Sequence, residues 1–450
     1  MSGSFKPILL AGLLVLSAWA QQEPTEPNDK TKIDDTTKAD AAKKADDPAQ
    51  IVDTTNQTGP YPRGIFGSPL GRKIPKPGDD EGFGFGPVLG VPSAFDGIGR
   101  QEVVLSGSRI VNERGLTGPT LHYGYSPTPR QRFLLSLSGA GTLGGGDLDY
   151  SFVPKELDGY FSVYFNHTRS LNSAYRNGHV DLGKSTDNTQ PWVFRTSAGL
   201  SYTTDPSQEF TLSGGLVYQR VSLHSGAFGG LTRPFDPNGN PLMVSDTPTD
   251  HLVLLRAGGL YTDVDNLQFP TSGNKLRFQA DQSVPVGTTS AAFTRFNLNY
   301  TRFQPLHLWG EDPQTLIFNM QGGSAIGLLP QYESYNLGGA YSVRGYQLGE
   351  LGGGRSFLQS SLEFRAPLGN LSLFGTEVPF KFATFVDYGT ALGSAPQVYG
   401  QPGVVREKPD SGLGYGLGVH AQTGVGLIRV EAAFAPQGHN LLYFSLGDRY

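Results

Sequence analysis

The residues best placed for chemistry are one arginine and two carboxylates. Arg344 lies in a loop, within Tyr341-Ser-Val-Arg-Gly-Tyr346, and Glu363 and Asp387 lie on strand-like segments that follow it. Successive side chains of a strand point to opposite faces, so parity places both acids opposite the apolar face. A guanidinium can bind a carboxylate through two parallel hydrogen bonds, which a lysine cannot do. The pattern fits an internal ion pair; it also fits an exposed loop arginine with two ordinary acids of a pore.

Other reactive groupings find little support in the sequence. The chain has eight His and no Cys, and the histidines show no metal-ligand spacing. Residues 412–418 look superficially like a phosphate-binding loop, but no strand-to-helix transition follows them. A hydrolase needs a grouped nucleophile and base, whereas the candidate histidines lie on or beside different strands: His122, His167, His420 and His439. We therefore expect no enzyme activity, no cofactor and no metal.

Alternating hydrophobicity fills the chain from about residue 101 to its end. In residues 296–301, for example, Phe, Leu and Tyr alternate with Asn, Asn and Thr. Alternation and turn residues predict strands at 102–110, 116–124, 131–139, 146–153, 158–167, 192–203, 208–222, 250–263, 274–283, 291–304, 314–326, 356–368, 378–389, 412–422, 425–435 and 441–450.

The number and length of these segments favour a membrane barrel over a soluble sandwich. About sixteen strands is an even number, as single-chain bacterial outer-membrane barrels require. Many of the segments are also longer than the five or six residues usual in soluble sheets. We predict an all-β fold, a closed transmembrane antiparallel β-barrel of about sixteen strands, with the loop that carries Arg344 between two of them.

Composition and the N-terminus favour export to a membrane. Residues 1–20 have the features of a signal peptide: Lys6, an apolar core and the cleavage site Ala18-Trp-Ala20. No other stretch approaches the roughly 18 apolar residues of a membrane helix, whereas 61 Gly and 20 Tyr suit barrel strands and aromatic girdles. The lack of Cys excludes a lipoprotein anchor and a disulfide scaffold. A net charge of −5 argues against a nucleic-acid partner.

The composition divides the chain into four regions. After the signal peptide, residues 21–60 contain almost no large apolar residue and are predicted to be a disordered polar tail. Residues 61–100 are rich in Gly and Pro and form either a linker or a plug of the barrel. The barrel itself is expected over residues 101–450.

The ordered set of motifs in the C-terminal half resembles a known family. Val343-Arg-Gly-Tyr346 is followed by Ser360-Ser-Leu-Glu-Phe-Arg-Ala-Pro-Leu368, by Phe385-Val-Asp-Tyr-Gly389 and by a final strand that ends on an aromatic residue. This order resembles the BamA/TamA superfamily of outer-membrane assembly and translocation barrels, which carry a bacterial surface antigen domain. The resemblance is specific over about residues 290–450. Residues 21–99 show no helices for POTRA modules, so we expect a member that lacks them.

The resemblance implies a latch and its partners. In this family the loop folds into the barrel, and its arginine meets acids on the following strands; the matching positions are Arg344, Glu363 and Asp387. Val343 belongs to the same motif, Gly345 would permit the tight turn, and Tyr346 would pack on the barrel wall. The latch is therefore expected to consist of residues 343–346 with two partners in the lumen.

The last strand is expected to carry the assembly signal. By parity Leu442, Phe444, Leu446 and Tyr450 share one face, interrupted by Asp448, and members of the family likewise end on an aromatic residue. The resemblance implies insertion of membrane proteins, or translocation of polypeptides, through a lateral seam at the bacterial outer membrane. The partners would be outer-membrane lipid, polypeptide clients, and periplasmic or assembly-machinery proteins. The alternative is a gated or passive channel without POTRA modules; an outer-membrane enzyme is the least favoured function.

Overall fold

The structure, a computed structural model, describes residues 50–52 and most of residues 100–450. Within the second range, the residues outside the description are 107–108, 113–114, 118–119, 129–130, 139–142, 155, 158, 172–173, 177–178, 182–191, 208, 227, 233, 236–240, 246, 267–268, 286–290, 348, 374–375, 395–397, 400–407, 424–425 and 447. The predicted signal peptide, the polar tail and the linker or plug lie outside the described residues, apart from residues 50–52 and 100. Those assignments, and the expected lack of POTRA modules, stay predictions.

Sixteen strands of six or more residues make up most of the described chain. In chain order they are β1 (Arg100–Ser106), β2 (Thr120–Thr128), β3 (Gln131–Ser138), β4 (Leu143–Phe152), β5 (Tyr160–Leu171), β6 (Trp192–Thr204), β7 (Phe210–Gly226), β8 (Thr249–Val264), β9 (Gly273–Val284), β10 (Phe293–Leu306), β11 (Gln314–Gly327), β12 (Gly352–Leu373), β13 (Thr376–Ser394), β14 (Ser411–Thr423), β15 (Gly426–Phe434) and β16 (Leu441–Leu446). The all-β fold and the predicted strand number are confirmed.

Each of these strands pairs antiparallel with the next one along the chain, so that β1 to β16 form one continuous meander. Shorter strands accompany it at Arg109–Asn112, Gly115–Thr117, Ala174–Arg176, His179–Asp181, Gly229–Thr232 and Tyr335–Leu337, together with a 3-10 turn at Gln331–Glu333. No helix among the described residues is long and apolar enough to cross a membrane.

The two faces of the sheet are inverted relative to a soluble protein. Leu298 on β10 is 45% exposed, whereas its neighbour Asn297 is 5% exposed. On β12 and β13 the exposed side chains include Leu362 and Val386, and the fully buried ones include Glu363 and Asp387. An apolar outer face and a polar inner face are the arrangement of a barrel that stands in lipid.

The predicted closure of the barrel is not found. Among the pairings between described strands, none joins β1 to β16. Instead, the outer edge of β16 pairs in parallel with the short strand Gln50–Val52, in the register Gln50↔Leu441 to Val52↔Tyr443. Alternation within each strand predicts faces and strand number, but closure depends on a contact between the two ends of the meander, which no local pattern encodes.

Candidate functional site

The loop between β11 and β12 folds inward, against the inner face of the sheet. All described residues from 329 to 351 are buried except Asn336 and Gln347, which are partly exposed. Near its start, Glu333 forms a salt bridge with Arg295 at 3.2 Å. The Tyr332 hydroxyl donates to Asp250 at 2.7 Å. The loop is thus fixed to the wall at its base, before it reaches the Val343-Arg-Gly-Tyr346 motif. We call residues 328–351 the latch loop.

Arg344 binds three strands at once. Its Nε donates to Oδ2 of Asp387 on β13 at 2.7 Å, and its Nη2 donates to Oδ1 of the same carboxylate at 2.9 Å. Its Nη1 donates to Glu363 on β12 at 2.9 Å and to Glu431 on β15 at 3.0 Å. The guanidinium also stacks on the ring of Phe385, with Cζ 3.2 Å from the ring centroid. The structure therefore brings Arg344 together with both acids that the sequence pointed to.

Glycines make room for the motif. Gly345 has φ +91°, and a Cβ on it would lie 2.8 Å from Cβ of Ala435. A Cβ on Gly414 of β14 would lie only 1.8 Å from the backbone O of Arg344. Its neighbour at the same face, Gly412, lies against the hydroxyl of Tyr346 in the same way. The glycine-rich segment 412–418 is therefore a strand with an inner groove that receives the motif.

The other two motif residues pack against the wall as well. Val343 and Tyr346 are 0% and 1% exposed. Tyr443 on β16 accepts a hydrogen bond from the Gly345 N–H at 2.9 Å, and its hydroxyl donates to the Tyr346 backbone O at 3.2 Å. The last strand therefore contacts the motif directly, which no sequence pattern had indicated.

The latch is part of a balanced network of charges. Among the residues that the structure describes, ion pairs and hydrogen bonds connect four carboxylates with four guanidiniums: Glu363, Asp387, Glu431 and Asp448 with Arg344, Arg365, Arg429 and Arg449. Each of these carboxylates contacts at least one arginine, which offsets the large cost of burying a charge. Parity alone could have added Glu431 to the predicted acids, because it lies on the inner face of β15.

The last residues of the chain correct a prediction. Tyr450 does not share the outer face of β16; its hydroxyl lies 2.8 Å from Oγ of Ser361 and 3.2 Å from Oε2 of Glu363, on the inner side. Asp448 also turns inward and accepts two hydrogen bonds from Arg365, at 2.8 and 3.0 Å. Parity fails here because β16 ends at Leu446, so the residues beyond it no longer alternate.

The remaining residues of the predicted assembly signal lie on β16. Phe444 is 57% exposed on the outer face, and Leu442 is half-buried. Leu446 ends the strand, and its side chain lies outside the description. Their role as a signal stays a prediction.

Three side chains of metal-ligand type come together within the network. Ligand atoms of Glu363, His420 and Glu431 lie within 4.8 Å of one another. His420 Nε2 is 3.0 Å from Glu431 Oε1, and both glutamates also receive hydrogen bonds from Arg344. Since arginine already holds both carboxylates, the trio fits an ion network better than a metal centre.

The fold and the latch define a class of protein, an outer-membrane β-barrel whose inward loop is held by an arginine. The Omp85 superfamily domain matches residues 148–450, more than half of the chain. The protein belongs to the Omp85 superfamily.

Two chloroplast proteins resemble the chain in sequence, and a bacterial protein of solved structure shares its fold. Outer envelope protein 80, chloroplastic, of Arabidopsis thaliana is 30% identical over 274 residues, which cover 60% of this chain and 35% of the relative. Protein TOC75-3, chloroplastic, of the same plant is 30% identical over 323 residues, which cover 67% of this chain and 38% of the relative. BamA from Haemophilus ducreyi lacking POTRA domains 1–3 shares the fold, with a TM-score of 0.56 at 15% identity, covering 78% of this chain and 69% of that one. The chain spans well under half the length of these two plant relatives.

Proposed function

We propose that this protein assists insertion of membrane proteins into, or translocation of polypeptides across, a bacterial outer membrane through a seam between β1 and β16. The observation that supports this most is the edge of β16. That edge is not joined to β1 among the described pairings, and it takes up the strand Gln50–Val52 in place of a neighbour. An edge that accepts a segment of its own chain has the geometry to accept a strand of a client.

The energetics of lipid favour such a role. Unpaired backbone N–H and C=O groups cost several kcal/mol each in a hydrocarbon core, so an open edge there must pair with something. A client strand that adds to β16 would gain its backbone hydrogen bonds from the edge, with alternate side chains entering lipid or lumen. The driving force is then hydrogen bonding and burial, and no catalytic group is needed. We infer that the protein is not an enzyme.

The latch would keep the rest of the barrel rigid while the seam between β1 and β16 opens and a client strand pairs with it. Arg344 ties β12, β13 and β15 to the loop, and Glu333 ties the loop to β10. Removal of one partner of a buried ion pair costs about 3–5 kcal/mol, so spontaneous release of the loop should be rare. Polypeptide clients, lipid and a periplasmic or assembly-machinery partner are the proposed partners.

Reconstitution into lipid vesicles tests this function. The chain has no Cys, so a pair of cysteines, one at Val103 on β1 and one at the outward-facing Phe444 on β16, provides a seam lock that reduction reverses. The matched control is a pair at Ala432 and Leu442, which face each other on β15 and β16 and leave the seam free.

The oxidised seam lock should abolish acceleration of the folding of a test barrel, and reduction should restore it. The control lock should leave the acceleration unchanged. Undiminished acceleration by the locked protein would contradict the seam mechanism. Ion conductance measured in parallel that persists in the locked protein, without any assisted folding by the unlocked one, would identify a gated or passive channel.

A further inference from the structure

We propose that residues 448–450 form a clasp that couples the last strand to the latch loop, with Arg449 as its positioning residue. Arg449 is 3% exposed, and its Nη1 donates to Oδ2 of Asp387 at 3.0 Å. The same oxygen also accepts the hydrogen bond from Nε of Arg344. Nη2 of Arg449 donates to the backbone O of Ser342. One side chain therefore joins the end of the chain to the wall acid and to the loop backbone.

Neighbouring contacts strengthen this connection. Asp448 accepts a two-pronged hydrogen bond from Arg365, which itself binds Glu363 at 2.8 Å. The Tyr443 hydroxyl bridges the Gly345 N–H and the Tyr346 backbone O. All three contributing residues (Tyr443, Asp448 and Arg449) belong to β16 or directly follow it. Displacement of β16 from the sheet would therefore remove contacts from the loop, from Asp387 and from Arg365 together.

The consequence is a two-way coupling between seam and loop. If the position of β16 changes the stability of the docked loop, release of the loop must change the stability of β16 by the same free energy. The stability of the docked loop would then depend on whether β16 is paired at the seam. This inference goes beyond the proposed function, because the coupling can be measured with no client present.

The first test measures loop release directly. Ala340 is fully buried in the loop, and the chain has no Cys, so maleimide labelling of an Ala340→Cys reporter in proteoliposomes reports opening. Arg449→Met should raise the labelling rate at least about tenfold, because a buried hydrogen bond to a charged group is lost. Arg449→Lys should recover part of the protection, since lysine retains the charge without the fork. The matched control is Arg302→Met, which removes an exposed arginine and should leave the labelling rate of the reporter unchanged.

The second test asks whether Arg449 acts through Asp387. In an Asp387→Asn background, Arg449→Met should raise the labelling rate of the Ala340→Cys reporter by less than about threefold, because the effects of contacting residues that act together are non-additive. Effects that multiply in full would overturn the proposal, as would unchanged labelling in Arg449→Met while Arg344→Met raises it. Unchanged labelling in both variants would overturn it as well, since the loop would then be held by neither arginine.

A reciprocal reporter separates coupling from local damage. The backbone of β16 pairs with β15 from Leu441 to Leu446, so amide hydrogen exchange of this segment reports its detachment from the sheet. Arg344→Met, a change in the loop, should raise the exchange rate of these amides. An unaltered rate there, in a protein that keeps the heat-modifiable gel mobility of a folded barrel, would refute the coupling. Loss of client activity alone would bear on the proposed function and leave this result standing.

Discussion

Substitution of Gly414 by alanine should release the latch loop, although alanine is normally the better strand residue. A Cβ at this position would lie 1.8 Å from the backbone O of Arg344 and 2.9 Å from its C. Because comfortable contacts are about 3.5 Å or more, the loop backbone has to retreat by about 1.5 Å. The hydrogen bonds from Arg344 to Asp387, now 2.7 and 2.9 Å, would then exceed hydrogen-bonding distance.

The expected magnitude follows from those two bonds. Each hydrogen bond to a charged group contributes about 1.5–3 kcal/mol, so loss of the fork should cost the docked loop about 3 kcal/mol or more. That free energy corresponds to a roughly hundredfold rise in the open population. The labelling rate of the Ala340→Cys reporter should rise by the same factor in Gly414→Ala.

Gly322 on β11 supplies the matched control. A Cβ there would lie 3.6 Å from its nearest neighbour, the backbone O of Phe357, which is an ordinary contact. Gly322→Ala should leave labelling unchanged or slow it slightly, since alanine loses less conformational entropy on folding than glycine. Equal labelling rates in Gly414→Ala and Gly322→Ala would refute the reasoning, provided that both proteins show the gel mobility of a folded barrel.

Two further predictions concern the charges around the loop. The exchange Arg344→Asp with Asp387→Arg should fail to restore the latch, because the new arginine would face Arg449; recovery of slow labelling would show that Arg449 does not bind at this acid. Near the end of the latch loop, Oε1 of Glu350 lies 3.0 Å from Nε2 of His439, a residue between β15 and β16, and this hydrogen bond raises the pKa of His439 above its usual 6.5. The contact should therefore stabilise the docked loop fully below pH 6.5 and lose this effect as pH rises through the raised pKa. The ratio of reporter labelling in His439→Gln to that in the unchanged protein should accordingly fall towards one at high pH; a ratio independent of pH would contradict this assignment.

Strands and faces were readable from the sequence because their cause is local. A period of two fixes which residues share a face, so the positions of Glu363 and Asp387 on the inner side followed from counting along β12 and β13. Residues 412–418 read correctly as a strand for the same reason. The sequence did not predict which part of the molecule lies against these glycines, since the groove exists only where the loop backbone meets β14.

By itself, the sequence determined the meander of sixteen strands, its inverted polarity and, through the resemblance of its motifs, the arginine of the latch. The tertiary structure alone decided the rest: the inward turn of Tyr450, the hydrogen bond from Arg449 to Asp387, and the lack of any described pairing between β1 and β16. Each of these depends on residues distant along the chain or beyond the end of a strand. Alternation carries no information there, and position is set by which buried charges can find partners.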